Sequence, residues 1–252
     1  MWYAMVATTL AGLATALGGV LGALYRPGRR GMAFAMGFGA GVMLSISLMD
    51  MLPAALGRYL AAFSPLRAGA MAASLVLIGL AAGALLEKLL PEEKAFAGGG
   101  EEGRVLRSAL VTALALVGHN LPEGVMTLFA SLEDPAVGAR LAVAIGLHNL
   151  PEGLAVALPV FYATRSRGKA AAAALASGLA EPAGALLAWG ALGGHITAGL
   201  VTGMAALVSG VMCWVSVCEL LPTGLSMARR ETAAAGFGAG LLTMTLGIAL
   251  LS

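Results

Sequence analysis

The chain has 252 residues, of which 59% are hydrophobic and 11% charged, with a formal net charge of +2. A soluble domain carries about 25% charged residues, so this composition excludes a soluble enzyme or nucleic-acid-binding protein and predicts an integral membrane protein. A spanning helix needs about 20 mainly apolar residues, which leaves room for about eight helices and no large soluble domain.

Eight apolar segments follow one another and form a single all-α transmembrane domain over residues 1–252. The predicted helices cover approximately residues 2–25, 31–53, 68–90, 105–130, 136–162, 169–191, 197–222 and 232–251. The one long polar connection, residues 91–104, is predicted to be a mobile cytoplasmic loop. Small residues recur in the third and eighth segments and favour close helix packing, including a homodimer through such faces. These residues include Gly79, Gly83, Gly236, Gly238 and Gly240.

The basic residues alternate along the chain. Twelve Lys and Arg residues lie in or beside every second connection, counting the one after the first segment, and three (Arg58, Arg67 and Arg140) lie in the others. Basic connections stay on the cytoplasmic side, so both termini are predicted to lie outside. The regular alternation also supports the count of eight helices.

An internal repeat links the second and seventh segments. Gly-Val-Met-Leu-Ser-Ile-Ser-Leu-Met-Asp-Met-Leu-Pro at 41–53 resembles Gly-Val-Met-Cys-Trp-Val-Ser-Val-Cys-Glu-Leu-Leu-Pro at 210–222. Helices five positions apart cross the membrane in opposite directions. The pattern predicts three helices, two central helices and three inverted helices, an arrangement typical of transporters with a site near the midplane.

The segment His-Asn-Leu-Pro-Glu-Gly occurs twice, at 119–124 and 148–153, in the two predicted central helices. Such polar side chains are expensive in hydrocarbon and usually functional. His119 and Glu123 are four residues apart and share a helix face, while Asn120 and Glu123 share a neighbouring one. Imidazole and carboxylate suit Zn²⁺ and other first-row divalent ions, which predicts a metal site between these helices. The second copy supplies His148, Asn149 and Glu152.

Two prolines interrupt the same helices. Pro122 and Pro151 each lack an N–H, which frees the carbonyls of Gly118 and Leu147, four residues earlier. These carbonyls lie beside the histidines, where they can add ligands or hold water in a pathway.

Three further acids lie in the predicted spans, and none of the five intramembrane acids has an obvious basic partner. Glu181, before Pro182, is predicted to complete a second metal position. Asp50 and Glu219 each precede a proline by three residues and serve either the pathway or contact with headgroups and water. Met43 and Met212 are either thioether ligands or core packing.

Other functions remain open on these residues. The repeated polar sets also suit interhelical hydrogen bonding without metal. A metal-dependent membrane hydrolase places His and acids in a helical bundle as well, but the chain has no HExxH or Ser/His/Asp pattern, so we predict no enzyme activity and no catalytic cofactor. A passive channel is a third reading. Cys213 and Cys218, five apart, are not expected to form a disulfide.

Over essentially its whole length the chain resembles the ZIP (Zrt/Irt-like protein) family of divalent metal transporters, with most similarity to short bacterial members of the ZupT/GufA type. The resemblance rests on both His-Asn-Leu-Pro-Glu-Gly segments and on Ser-Gly-Leu-Ala-Glu-Pro at 177–182. It implies uptake of Zn²⁺, or of Fe²⁺, Mn²⁺, Co²⁺ or Cd²⁺, as the transported substrate across a bacterial inner membrane.

The resemblance also implies roles for individual residues. It puts Met43 and Asp50 at the outer entrance and Glu219 beside the path. Many members have a His-rich loop after the third helix, whereas residues 91–104 contain no His, which argues against metal sensing by this loop. The implied metal positions are His119, Glu123, His148 and Glu152 for one ion, and Asn120, Asn149 and Glu181 with both shared glutamates for the other.

Overall fold

Eight membrane-spanning helices make up the protein, and they confirm the predicted all-α class. The computed structural model describes residues 1–25, 28–92, 95, 99–192 and 197–251, and all of the regular structure in these ranges is helical. The helices long and apolar enough to cross a membrane are α1 (Trp2–Leu24), α2 (Arg29–Ala62), α3 (Pro65–Leu89), α4 (Gly100–Glu133), α5 (Pro135–Thr164), α6 (Arg167–Ala191), α7 (Ala198–Met227) and α8 (Arg230–Leu250).

Two helices continue past the prolines at which the sequence predicted their ends. α2 runs beyond Pro53 and α7 beyond Pro222, because a wider π-helical turn precedes each proline, at Ile46–Met51 and Val215–Leu220. In such a turn each N–H donates to the carbonyl five residues back, as that of Leu52 does to Ser47. The hydrogen-bonding pattern of the helix is therefore already shifted by one residue at the proline, which has no N–H to donate. Both turns therefore occupy the same place in the repeat.

Two other boundaries differ from the prediction. α6 is interrupted at Leu179, with helical turns over Arg167–Gly178 and Ala180–Leu192. Pro182 has no N–H to offer the carbonyl of Gly178, which loosens the ladder there. α4 begins at Gly100, so the last five residues of the predicted loop 91–104 are helical instead.

The eight helices pack in two groups. α1, α4, α5 and α6 contact one another closely and form what we call the site bundle, since it carries the predicted ligands. In the other, here called the flanking group, α2 packs on α8 and on α7, and α7 packs on α3. The groups meet mainly where α2 lies on α5 and α7 on α4. Each group therefore draws helices from both halves of the inverted repeat.

Close backbone contacts show the inverted repeat directly. Gly41 of α2 lies against the backbone of α8 at Phe237, and Gly210 of α7 lies against α3 at Val76 in the same way. Neither glycine leaves room for a Cβ, which lets the helices of each pair approach. The contact of α2 with α8 is thus repeated by α7 with α3.

The glycines proposed for a dimer face are used inside the protomer. Gly79 and Gly83 pack against α7, and Gly236 and Gly240 pack against α2, whereas a Cβ on Gly238 would meet nothing within 4 Å. These residues explain how α3 and α8 dock, and they give little support to a homodimer. Both cysteines are free, as expected.

Candidate metal centre

α4 and α5 bring the two copies of His-Asn-Leu-Pro-Glu-Gly face to face. Glu123 Oε1 lies 3.1 Å from His119 Nε2 and 3.0 Å from His148 Nε2. His119 Nε2 is also 3.5 Å from Glu152 Oε1, and the two imidazole rings are 6.3 Å apart between centroids. The four side chains thus form one continuous cluster across the two helices.

This cluster is buried and rich in unused ligand atoms. His119, Glu123 and Glu152 are each 1–2% exposed, and His148 is 6% exposed. Among the described residues, neither oxygen of Glu152 nor Oε2 of Glu123 has a hydrogen-bond partner. Buried carboxylates without partners are costly, so a cation is the natural complement of this set.

The spacing of the atoms suits a transition metal after a small closure. One ligand atom each from His119, His148 and Glu152 lie within 4.8 Å of one another. Ligands at about 2.0–2.1 Å from a tetrahedral zinc lie about 3.3 Å apart. The imidazole–carboxylate pairs, at 3.0–3.5 Å, already have this spacing, while the widest pair must draw together.

The two asparagines are oriented by neighbouring helices. Asn120 Nδ2 donates to the carbonyl of Ser177 in α6 at 2.9 Å, and Asn149 Nδ2 donates to that of Ala11 in α1 at 2.9 Å. Since each amide nitrogen is engaged in this way, the oxygens are left as acceptors, and both are buried without a partner in the described part of the chain.

Glu181 joins this arrangement from α6. It is fully buried, and one of its oxygens accepts a hydrogen bond from Asn149 Nδ2, while the other has no partner among the residues that the structure describes. Its backbone lies directly against Gly124, which has no room for a Cβ. The last residue of the motif therefore allows α6 to approach α4 and brings a third carboxylate to the asparagines.

The other predicted pathway residues lie in the flanking group. Met43 and Met212 are buried at 1% exposure, and Asp50 is exposed within the π-helical turn of α2. Glu219 is 5% exposed, and its Oε1 lies 3.7 Å from Nη1 of Arg107 in α4. The expectation that every intramembrane acid lacks a basic partner is therefore wrong for Glu219, because Arg107, near the start of the predicted fourth helix, lies alongside α7.

Sequence reasoning missed a second repeat beside the site. Gly-Leu-Ala-Thr-Ala-Leu-Gly at 12–18 in α1 parallels Gly-Leu-Ala-Glu-Pro-Ala-Gly at 178–184 in α6. Comparing the first and sixth segments, as the second and seventh were compared, would have found it. The repeat brings Thr15, which is fully buried, into the neighbourhood of the ligands.

Comparisons with known proteins find sequence matches over most of the chain. Residues 94–252 match the family model described as ZIP Zinc transporter. The chain is 37% identical over 263 residues to "Zinc transporter ZupT" of Stenotrophomonas maltophilia (strain R551-3), covering 99% of this chain and 96% of that protein. It is 39% identical over 262 residues to the protein of the same name from Corynebacterium glutamicum, covering 99% of each chain.

Proposed function

Because this chain belongs to the ZIP family of zinc transporters, we propose that it carries Zn²⁺ into the cytoplasm through the cluster between α4, α5 and α6. The observation that carries the proposal is the buried, cation-deficient set of His119, Glu123, His148 and Glu152. Membership in a family of transporters decides against the membrane hydrolase considered from the sequence. The nitrogen and oxygen ligands also accommodate Fe²⁺, Mn²⁺, Co²⁺ and Cd²⁺ as alternative substrates.

The proposed site has two metal positions that share Glu123 and Glu152. The first uses His119 and His148, and the second uses both asparagines and Glu181. The unpartnered oxygens of Asn120, Asn149 and Glu181 support the second position, because neutral hydrogen bonding alone leaves them without partners among the described residues.

Transport follows from how the helices are grouped. Every proposed ligand lies on α4, α5 or α6, all in the site bundle, so displacement of this bundle against the flanking group carries the ions with it. The moving part is thus the site bundle, which combines helices of both halves of the inverted repeat. A carrier of this kind binds its ion before release, so flux should saturate with metal concentration, whereas a passive channel gives linear flux.

The pathway and orientation complete the proposal. Metal enters from outside past Asp50 and Met43, with both termini outside a bacterial inner membrane, in agreement with the alternation of basic residues. Glu219, paired with Arg107, lies near the cytoplasmic end of the path. A homodimer is compatible with this arrangement, but the site is complete within one protomer.

Uptake of ⁶⁵Zn²⁺ into proteoliposomes tests the proposal. Glu152→Ala should abolish uptake, because it removes a buried carboxylate from the cluster. Glu133→Ala is a matched control, since this acid lies exposed at the end of α4. Uptake by Glu152→Ala at the level of the control would overturn the assignment of the site.

A further inference from the structure

α1 and α6 make equivalent contacts with the proposed site, as expected for helices related by the inverted repeat. The amide nitrogens of Asn149 and Asn120 donate to Ala11 of α1 and Ser177 of α6, which are 166 residues apart. The next residues, Gly12 and Gly178, each lie against the carbonyl of the other. The pseudo-symmetry that relates α4 to α5 therefore also relates α1 to α6 at the level of single residues.

The same offset pairs Thr15 with Glu181. The backbone of Thr15 lies against Gly153 of α5, and the backbone of Glu181 lies against Gly124 of α4. One turn later, Gly18 meets Leu150 and Gly184 meets Leu121. These contacts bracket the pair on both sides, so Thr15 takes in α1 the place that Glu181 takes in α6.

The hydroxyl of Thr15 is available to the site. Most Thr and Ser side chains in membrane helices bond the carbonyl four residues back, as Thr112 does to Ser108 at 2.8 Å. For Thr15 that carbonyl belongs to Ala11, which already accepts from Asn149. Thr15 is 0% exposed, and its Oγ1 has no partner among the described residues.

We propose that Thr15 is a further binding residue, whose hydroxyl oxygen faces Asn120 and contributes to the metal position there as Glu181 contributes beside Asn149. The pseudo-symmetry indicates where the Thr15 side chain points. Glu181 of α6 reaches Asn149 of α5, so the equivalent residue of α1, Thr15, points toward Asn120 of α4. This inference rests on the proposed two-metal site.

The difference between the two mirrored residues has an electrostatic consequence. Glu123, Glu152 and Glu181 give the site three carboxylates. Because the residue at the fourth position, Thr15, has a neutral hydroxyl, the site gains no further negative charge. A fourth buried carboxylate would raise the attraction for a divalent ion and oppose its release. Thr15 thus provides an oxygen ligand while limiting the negative charge, which suits a site that must empty on each cycle.

Equilibrium Cd²⁺ binding to the purified full-length protein tests the role of the hydroxyl. Thr15→Val keeps the shape of the side chain and removes the oxygen, and we expect it to weaken the Kd of one bound ion about tenfold, as loss of one ligand contact worth about 1.4 kcal/mol would. Thr8→Val is the control, because Thr8 is equally buried in α1 and its hydroxyl also has no partner within the described ranges, but it lies two turns away from Thr15. Equal affinities for the two variants and the native protein would overturn the proposal.

A swap of the mirrored residues tests the symmetry and keeps the two proposals apart. Glu181→Thr should lower bound Cd²⁺ from about two ions per protomer to one, and adding Thr15→Glu should restore about two. A Glu181→Thr protein that still binds two ions would contradict the two-metal site itself. The other outcome concerns Thr15 alone. If Glu181→Thr loses one ion and the double variant does not regain that ion, Thr15 is not the counterpart of Glu181. The double variant must elute as a single species in size-exclusion chromatography for this comparison.

Discussion

Glu123 is the most connected side chain of the cluster, because both histidines contact the same one of its oxygens, at 3.1 and 3.0 Å. Its second oxygen is buried without a partner among the described residues. In the proposed site, a single carboxylate therefore orients two imidazoles with one oxygen atom and leaves the other oxygen for an ion. This division of labour explains why a helix that spans the membrane carries an acid at its centre.

Glu123→Gln should show this role. The amide is similar in shape but carries no charge, and losing one partner of a buried charged set costs about 3–5 kcal/mol. We expect Zn²⁺ affinity, measured by isothermal titration calorimetry, to fall at least 100-fold. Glu133→Gln, a change of the same chemistry at an exposed position of α4, should leave it unchanged. A Glu123→Gln protein with native affinity would show that the carboxylate contributes no charge to binding.

At the scale of the helices, glycines decide how closely the ligand-bearing elements approach. A Cβ on Gly124 would collide with the backbone of Glu181, whereas a Cβ on Gly118, six residues earlier in α4, would meet nothing within 4 Å. The motif glycine thus fixes the crossing of α4 and α6, and with it the distance of Glu181 from the other ligands.

The two glycines make a matched pair for mutagenesis. Gly124→Ala must push α6 away, and we expect a thermal midpoint in detergent lower by several degrees, in line with an overpacking cost of about 1–3 kcal/mol, together with weaker metal binding. Gly118→Ala should be neutral or stabilising by up to about 1 kcal/mol, because alanine favours the helix. Similar destabilisation by both substitutions would contradict the close-approach argument.

At the scale of the whole molecule, the division into a site bundle and a flanking group makes a mechanical prediction. α5 makes one small-residue contact across this division and another within the site bundle. A Cβ on Gly39 of the flanking group would lie 2.9 Å from Cβ of Ala155. A Cβ on Gly22 of the site bundle would lie 3.2 Å from Cβ of Ala157. Both pairs are close enough for a disulfide after a small adjustment.

Cysteine pairs at these positions distinguish movement between the groups from movement within them. In a background with Cys213→Ser and Cys218→Ser, oxidation of Gly39→Cys/Ala155→Cys should stop ⁶⁵Zn²⁺ uptake, and reduction should restore it. Oxidation of Gly22→Cys/Ala157→Cys should have little effect, because both residues move together. Equal inhibition by the two cross-links, each verified by mass spectrometry, would argue against motion of the site bundle as a unit.

The sequence predicted the eight helices, and the candidate ligands that it singled out in α4, α5 and α6 lie close together in the structure. These two results have different reasons. Long apolar runs define spans because unpaired backbone groups are not tolerated in lipid, and an intramembrane His or Glu stands out because its burial is costly. The helix ends at Pro53 and Pro222 were predicted wrongly. The π-helical turn before each proline lets the helix continue, and the spacing of apolar residues in the sequence does not reveal such a turn. The basic partner of Glu219 was missed because Arg107 and Glu219 lie on helices far apart in the chain, and only the packing of α4 on α7 brings them together.

The sequence by itself determined the all-helical membrane architecture, the inverted repeat and the chemistry of the repeated His/Asn/Glu segments. These properties depend on local composition and on spacing within one helix. Only the tertiary structure decided which helices form the site bundle, and that Gly124 and Gly153 leave room for the backbones of Glu181 in α6 and Thr15 in α1. Those relations depend on contacts between helices far apart in the chain, where the presence or absence of one Cβ sets how near two backbones can come.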